Sequence, residues 1–289
     1  MSTLKFRELL GLDNQDEPGL SRRSFFKHAT ALGATAVAGT VLAPTASALG
    51  FHQRDSSNAM PQPNNLMAGD KDILIAAEIA EALAVTTYSH IIHQSPFFKR
   101  IPDDDQGYIK AALQEEMSHY ALEQSVTNEN SPFDEFFYPK HMFRDAQTTL
   151  NTLVTLEDAF IAAYLVGVAN FSSTALRVTA ARIMGIESDH RTLARVIGPE
   201  VTAKDGGPIE FITGAQGVKE SVDPPNNNGY ERTLCWTNIS QAVDALTPFV
   251  DEEAAESAGF DTSKKYKFHP FTPTLPNPLG EFFSFTGCE

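Results

Sequence analysis

The chain has 289 residues, of which 42% are hydrophobic, and its formal net charge is −15. This composition is typical of a globular protein with enough apolar side chains for a sizeable core, and it excludes a chain that is disordered throughout. The acidic balance argues against nucleic acid as a partner, because phosphate binding needs a basic surface.

The N-terminal residues have the pattern of an export signal. The pair Arg22-Arg23 begins a basic stretch, and a mildly apolar run over 28–49 follows it and contains Ala46-Ser47-Ala48. This order of basic, apolar and small residues is typical of a cleaved signal, and the arginine pair resembles the bacterial twin-arginine type. A retained membrane anchor is the alternative, but Pro44 and several glycine, threonine and serine residues make the run too polar for hydrocarbon.

We therefore predict a twin-arginine signal peptide over residues 1–48 that is cleaved near Ala48. The protein would be exported to the periplasm or beyond, with the twin-arginine translocase as its partner during export. The polar residues 49–69 would then form a flexible tail.

Four segments with apolar residues at helical spacing follow this tail. They predict helices over residues 70–93, 103–123, 145–171 and 174–197. The connections are short, long and short, and the long one, 131–144, contains five aromatic residues. These lengths predict an all-α domain over 70–198, a four-helix bundle with one long crossover connection.

The C-terminal extension, 199–289, is less regular and rich in phenylalanine and proline, with one short helix predicted over 240–250. Its last part, 268–285, is expected to lie as a strap over apolar surface, or alternatively to form a contact between copies of the chain in a homo-oligomer. Cys235 and Cys288 lack the spacing of a metal or redox motif. In an oxidising compartment they form either one disulfide bond or two free thiols.

Two short motifs suggest the chemistry of the protein. Glu116-Met117-Ser118-His119 and Glu187-Ser188-Asp189-His190 each place a histidine three residues after a glutamate within a predicted helix. Residues three apart lie on nearly the same face, one turn along the axis, so both can reach one cation inside a bundle. Two such motifs predict the two halves of one dinuclear metal site.

The other two predicted helices share a second pattern. Glu81 is followed seven residues later by Tyr88, and Glu157 is followed seven residues later by Tyr164. Seven residues are close to two helical turns, so the two side chains of each pair share a face. The offset between these glutamates nearly equals the offset between the Glu-x-x-His motifs, which indicates a duplicated helical hairpin.

Four carboxylates inside a bundle need neutralising charges. Two divalent cations supply these charges, and two neutral imidazoles complete the coordination without adding any. A glutamate from each of two helices and a Glu-x-x-His motif from each of the other two is the set that holds the metals of di-iron and di-manganese carboxylate proteins. A bundle whose polar interior is charge-paired or hydrated, without metal, is the alternative.

On these motifs, residues 70–198 resemble the ferritin-like superfamily. The twin-arginine signal and the Phe/Pro-rich extension make the whole chain similar to its exported, desiccation-related bacterial branch. The resemblance implies a ferritin-like four-helix bundle that binds two divalent metal ions, iron or manganese. The implied metal ligands are Glu81, Glu116, His119, Glu157, Glu187 and His190.

The same resemblance assigns roles within this set. Glu116 and Glu187 would bridge the two ions, and Tyr88 and Tyr164 would donate hydrogen bonds to metal-binding carboxylates. The alternative for both tyrosines is a packed aromatic ring whose hydroxyl is satisfied at the bundle surface.

Other charged residues near the motifs have simpler expectations. Family members often carry a carboxylate just before the glutamate of each motif, and here Glu115 fills one such place and Ile186 the other. Glu78, Glu115 and Asp158 are expected to be solvated or to pair charges between helices. Glu123 is expected at the surface, with a contact to the metal-binding carboxylates as the alternative.

His90 and His93 lie at the end of the first predicted helix. We expect the helix dipole and the free carbonyl groups to satisfy them there, in preference to metal binding.

Oxygen and imidazole ligands without thiolate suit iron or manganese and permit zinc. Two redox-active ions close together can pass two electrons, so the predicted chemistry is a reaction with peroxide or dioxygen, catalase-like or ferroxidase-like. The sequence has no glycine-rich nucleotide motif and no P-loop. A non-enzymatic, metal-binding or stress-protective envelope protein and a structural protein with an empty site are the alternatives.

Overall fold

A computed structural model of the protein describes residues 66–197 and 234–274. The predicted signal peptide, almost all of the predicted tail and Cys288 lie outside the described residues. Four long helices account for most of the rest, and they are α1 (Ala68–Gln94), α2 (Asp103–Thr127), α3 (Ala146–Asn170) and α4 (Thr174–Ile197). The four predicted helices are confirmed, with ends that differ from the prediction by at most a few residues.

Local sequence signals explain where these helices begin and end. The acidic run after Pro102 occupies the first turn of α2, where negative charge offsets the helix dipole. The same helix ends at Asn128, which adopts a left-handed conformation with φ of 57°. Asp145 caps α3 by accepting a hydrogen bond of 2.9 Å from the backbone N–H of Thr148.

The bundle is built from two helical hairpins. α1 packs most extensively on α2, and α3 packs most extensively on α4, while α1 also contacts α3 and α2 contacts α4. Two clusters of buried apolar residues fill the interior. The smaller one lies at the end of the bundle where α1 begins, and the larger one extends from beside the motifs to the opposite end. The Glu-x-x-His motifs form a polar layer within this apolar core.

The predicted long crossover between α2 and α3 contains a strand that the sequence pattern did not predict. β1 (Glu135–Pro139) pairs antiparallel with β2 (Phe260–Lys267), which comes from the C-terminal extension. This two-stranded sheet is a small addition to an otherwise helical protein. It joins the extension to the bundle.

Two short helices complete the described extension. α5 (Ile239–Val250) lies where the short helix was predicted and packs on α1, α3 and β1. α6 (Glu252–Ser257) follows directly and packs against the sheet. A single 3-10 turn, Phe98–Arg100, lies between α1 and α2.

The start of the predicted strap is described as far as residue 274. Phe268 is buried, and its ring packs edge-on against Tyr120 at a centroid distance of 4.8 Å. Phe271 is half-buried and packs against the larger apolar cluster, and the other three phenylalanines of the strap lie outside the described residues. Cys235 is exposed and forms no disulfide bond within the described residues.

By length and composition α3 is apolar enough to cross a membrane. Its most apolar window has a mean hydropathy of 1.6, but 72% of that window is buried inside the protein. A buried core helix can have the same length and the same apolar composition as a membrane span, and α3 is such a core helix here.

Candidate metal centre

The structure brings all six predicted ligands together in the middle of the bundle. Each long helix contributes: α1 and α3 supply one glutamate each, and α2 and α4 supply a glutamate and a histidine each. All six side chains are buried. They form two groups of four potential ligands whose donor atoms lie within 4.8 Å of one another, and the two groups share Glu116 and Glu187.

The first group contains Glu81 and His119 besides the shared pair. Nδ1 of His119 lies 3.1 Å from Oε1 of Glu187 and 3.6 Å from Oε2 of Glu116. The same nitrogen lies 3.6 Å from Oε2 of Glu81. Three carboxylates therefore face one imidazole nitrogen.

The second group contains Glu157 and His190 besides the shared pair. Nδ1 of His190 lies 2.9 Å from Oε1 of Glu116 and 3.3 Å from Oε2 of Glu187. Glu157 completes this group from α3.

The shared glutamates have the geometry of bridges. Glu116 points Oε2 toward His119 and Oε1 toward His190, and Glu187 points Oε1 toward His119 and Oε2 toward His190. Each carboxylate therefore offers one oxygen to each group. This arrangement suits two cations held side by side.

The two tyrosines contact the unshared glutamates across the bundle. The hydroxyl of Tyr88 donates a hydrogen bond of 2.7 Å to Oε1 of Glu157, and the hydroxyl of Tyr164 donates to Oε1 of Glu81. The tyrosine of each hairpin therefore holds the glutamate of the other hairpin. In both glutamates the other carboxylate oxygen, Oε2, takes no part in this hydrogen bond.

Glu115 supports one of the histidines. Its Oε2 lies 2.9 Å from Nε2 of His190, the ring nitrogen that faces away from the centre. A carboxylate at this place fixes the orientation and tautomer of a metal-binding imidazole. Ile186, at the matching place in the other motif, offers no such contact to His119.

Two further glutamates are buried, although Glu123 was expected at the surface and Glu78 was expected to be solvated or to pair charge between helices. Glu78 is 0% exposed and accepts a hydrogen bond from Thr127, and Glu123 is 3% exposed and accepts one of 2.8 Å from Tyr164. Burial raises the pKa of Glu78 to about 7. No spacing pattern pointed to the burial of Glu78, whereas the seven-residue spacing from Glu116 did mark Glu123.

Asp158 forms an ion pair between helices, which was one of the two roles predicted for it. Its Oδ1 lies 2.9 Å from a guanidinium nitrogen of Arg191, and both side chains are nearly buried. This pair links α3 to α4 beside the centre.

His90 does not have the environment that was expected for it. Its ring packs against Phe143 and Tyr266 at centroid distances of 5.3 and 4.8 Å. Burial, and to a smaller extent the charges of Lys264 and two histidines, lower the pKa of His90 to about 4. A dominant helix dipole would have raised this pKa.

The buried carboxyl groups of the centre have pKa values that are shifted in different directions. Burial raises the pKa of Glu81 and Glu157 well above the ordinary carboxyl value, and the charges of Glu116 and Glu187 raise both further. Burial also acts to raise the pKa of Glu116, but the charge of His190 overcomes this effect and holds it below its usual range.

The pKa values of the two imidazoles are raised by the neighbouring carboxylates. Burial acts to lower the pKa of His119, but the charge of Glu81 and contacts with the shared glutamates raise it well above the ordinary value. For His190 burial is likewise outweighed, chiefly by the charge of Glu116. Metal binding would displace protons bound to these groups, because a cation needs the neutral imidazole and the ionised carboxylates.

The donor atoms themselves fit a pair of cations. Several buried atoms in the centre have no hydrogen-bond partner among the described residues, although histidine nitrogens approach some of them closely at unsuitable angles. They are Oε2 of Glu81, both carboxylate oxygens of Glu116, Oε2 of Glu157, Oε1 of Glu187 and Nδ1 of His119. Unpaired buried polar atoms are costly, and two divalent ions would satisfy all of them.

The two hairpins are not equivalent around this centre. Three positions that carry carboxylates in the first hairpin carry apolar residues in the second: Glu78 corresponds to Val154, Glu115 to Ile186 and Glu123 to Ala194. Glu115 lies beside His190, and Glu123 lies beside Glu81 through Tyr164, so the surroundings of the centre are more acidic than two copies of the second hairpin would give.

Residues 69–198 match the family model of the ferritin-like domain. The match begins in the first turn of α1 and covers all four long helices, including every residue of the candidate centre. No curated protein and no solved structure matches the chain. The family match and the observed bundle together identify this part of the chain as a ferritin-like domain with a buried carboxylate and histidine cluster that could hold metal.

Proposed function

We propose that this protein holds two divalent metal ions, iron or manganese, in its ferritin-like domain and uses them in redox chemistry with dioxygen or peroxide. The observation that supports this most directly is the shared position of Glu116 and Glu187. Each offers one oxygen to the His119 group and one to the His190 group. A single mononuclear site would not need two carboxylates placed in this way.

The residues divide into clear roles under this proposal. Glu81 and His119 would bind one ion, Glu157 and His190 would bind the other, and the shared glutamates would bridge them. When bound, two ions that each change from the +2 to the +3 state supply the two electrons that, with two protons, reduce dioxygen to hydrogen peroxide.

The protein's own contribution is positioning and the exclusion of water. Tyr88 and Tyr164 fix the unshared carboxylates by hydrogen bonds, and Glu115 fixes the ring of His190. The apolar clusters around the polar layer keep bulk solvent away. Ligands held in this way need little rearrangement when an ion enters.

A second function is favoured by a different observation. The ligands come from all four helices, so two ions would join the bundle at its polar layer, as a structural metal does. In this alternative the protein is a non-enzymatic, metal-binding or stress-protective envelope protein of the desiccation-related type. Loss of metal would then cost stability and nothing else.

Export through the twin-arginine pathway is part of the same proposal. It is supported by Arg22-Arg23 and the apolar run that follows them. Replacing both arginines with lysine should leave the protein in the cytoplasm, as fractionation would show. Export of this variant at the normal level would contradict the proposal.

The experiment that tests the function loads metal-free protein with ferrous or manganous ions without oxygen and then adds dioxygen or peroxide. Glu116→Ala is compared with Glu253→Ala, whose side chain is exposed on α6. An enzyme loses metal oxidation in Glu116→Ala and keeps it in Glu253→Ala. If both variants and the parent fail to react while metal raises the melting temperature of the parent, the structural alternative holds.

A further inference from the structure

An apolar cavity lies next to the candidate metal centre, between the helices of the bundle and α5. Ala77 and Ala80 of α1, Ala163 of α3 and Ala180 of α4 are among its lining residues. Ala77 precedes Glu81 by four residues, so the cavity lies about one helical turn from the polar layer. Its volume is about 30 Å³.

The size of the cavity restricts what it can hold. A water molecule needs about 10–15 Å³ on the same measure, so about two molecules of that size fit. Sites for organic ligands commonly reach about 300 Å³ or more. A diatomic gas fits this cavity, and an organic substrate does not.

The lining favours an apolar guest over a polar one. Apart from Thr179 and the indole of Trp236, its polar groups come from Glu123 and Tyr164. Cavities walled by alanine, leucine and isoleucine stay dry and accept apolar guests such as xenon. Hydrogen peroxide, like water, would lose most of its hydrogen bonds on entering.

The polar end of the cavity leads to one half of the metal centre. Tyr164 lines the cavity, and its hydroxyl lies within hydrogen-bond distance of both Glu123 and Glu81. Oε2 of Glu123 is buried without a hydrogen-bond partner among the described residues. A guest in the cavity is therefore separated from Glu81 by a single layer of side chains.

We propose that this cavity binds dioxygen and delivers it to the half of the centre that contains Glu81 and His119. The delivery rests on the proposed function, because it needs metal ions in the centre, but gas binding by the cavity does not. The proposal selects dioxygen over peroxide as the oxidant. It also makes the two halves of the centre unequal in their access to it.

Xenon tests the cavity without any metal. Crystals of the metal-free protein under xenon pressure, or xenon NMR titrations in solution, report whether an apolar gas binds. Ala180→Val and Ala77→Val fill the cavity from two different helices. Ala181→Val is the matched control, because Ala181 is the exposed neighbour of Ala180 on the same helix. Circular dichroism establishes that all three variants fold.

We expect xenon in the cavity of the parent and of Ala181→Val, and its loss in both filled variants. With the protein loaded with ferrous ions, the filled variants should react with dioxygen about tenfold more slowly and with peroxide at the parental rate. Their metal content should equal that of the parent.

Two results would overturn the proposal while the proposed function stands. One is a parent protein that binds two metals but no xenon in the cavity. The other is a filled variant that slows the reactions with dioxygen and peroxide equally, or slows neither. A parent that binds no metal overturns the proposed function and the delivery step together, and the xenon result then decides separately whether the cavity binds gas.

Discussion

The carboxylate of Asp158 and the guanidinium of Arg191 lie 2.9 Å apart, with side chains only 11% and 3% exposed. Removing one partner of a buried ion pair leaves the other charge without full compensation. We expect Asp158→Asn to lower the free energy of unfolding by about 3 kcal/mol. Urea unfolding followed by circular dichroism measures this loss.

An exposed pair on the same bundle is the control. Lys71 and Glu129 lie 2.5 Å apart, but their side chains are 41% and 50% exposed. Solvent screens such a pair, so Glu129→Gln should cost less than about 1 kcal/mol. Equal losses in the two variants would show that burial does not set the strength of the Asp158 pair.

The lowered pKa of His90 makes the stability of the protein depend on pH. Its pKa of about 4 in the folded protein lies below the ordinary value of 6.5. Between these values the unfolded chain binds a proton that the folded chain does not, so His90 removes stability as the pH falls from 6.5 to 4. The effect is about 1 kcal/mol, because solvent screens this partly exposed ring.

His90→Gln tests this dependence. The variant should gain stability relative to the parent as the pH is lowered through that range, as urea unfolding at several pH values would show. Both proteins need the same metal state, because the centre also binds protons. A stability difference that does not change between pH 7 and pH 4 would rule out the buried, neutral imidazole.

The motifs predicted some residues of the centre and its surroundings and missed others. The Glu-x-x-His spacing identified Glu116, His119, Glu187 and His190 because three residues bring two ligands onto one helical face. Glu78 was missed for a physical reason. Helical periodicity assigns one face to solvent, but α1 is buried on nearly every side from Glu78 to Tyr88, because α5 packs on it as well.

Gly167, near the end of α3, has no room for a side chain because the ring of Phe171 lies close to it. A methyl group at this position would lie 2.8 Å from an edge carbon of the Phe171 ring. Phe171 is itself buried in the apolar cluster at that end of the bundle, so it has little freedom to move. We expect Gly167→Ala to lower the free energy of unfolding by about 1–2 kcal/mol.

At Gly185 in α4 we expect the same substitution to change stability in the opposite direction. A methyl group there meets no atom within 4 Å, and alanine restricts the unfolded chain and favours a helix. Gly185→Ala should therefore raise the free energy of unfolding by about 0.5–1 kcal/mol. Thermal unfolding of the two variants side by side checks the prediction, and a stabilising Gly167→Ala would contradict it.

Helices were more predictable than the sheet because their signals are local. α1 to α5 follow from apolar spacing and from caps within a few residues. β1 joins a partner strand that lies beyond α3, α4 and α5 in the sequence, and its aromatic residues fit a packed crossover equally well. Pairing between such distant segments leaves no local sequence pattern that predicts the pairing.

The whole bundle is organised around one polar layer within its apolar core. Four buried glutamates and two histidines there are unfavourable unless protons or cations compensate them. The ligands come from four helices, so any ion bound there also joins the two hairpins. Chelation should therefore lower the melting temperature, and the change should follow the number of ions lost.

The central claim is a dinuclear centre with shared glutamates, and metal content tests it most directly. Mass spectrometry of the purified protein should give about two ions of iron or manganese per chain. Glu81→Ala and Glu157→Ala should each lose about one ion, and Glu116→Ala should lose both, because Glu116 faces both histidines. A parent with fewer than one ion per chain, or a Glu116→Ala variant that keeps both ions, would contradict the account.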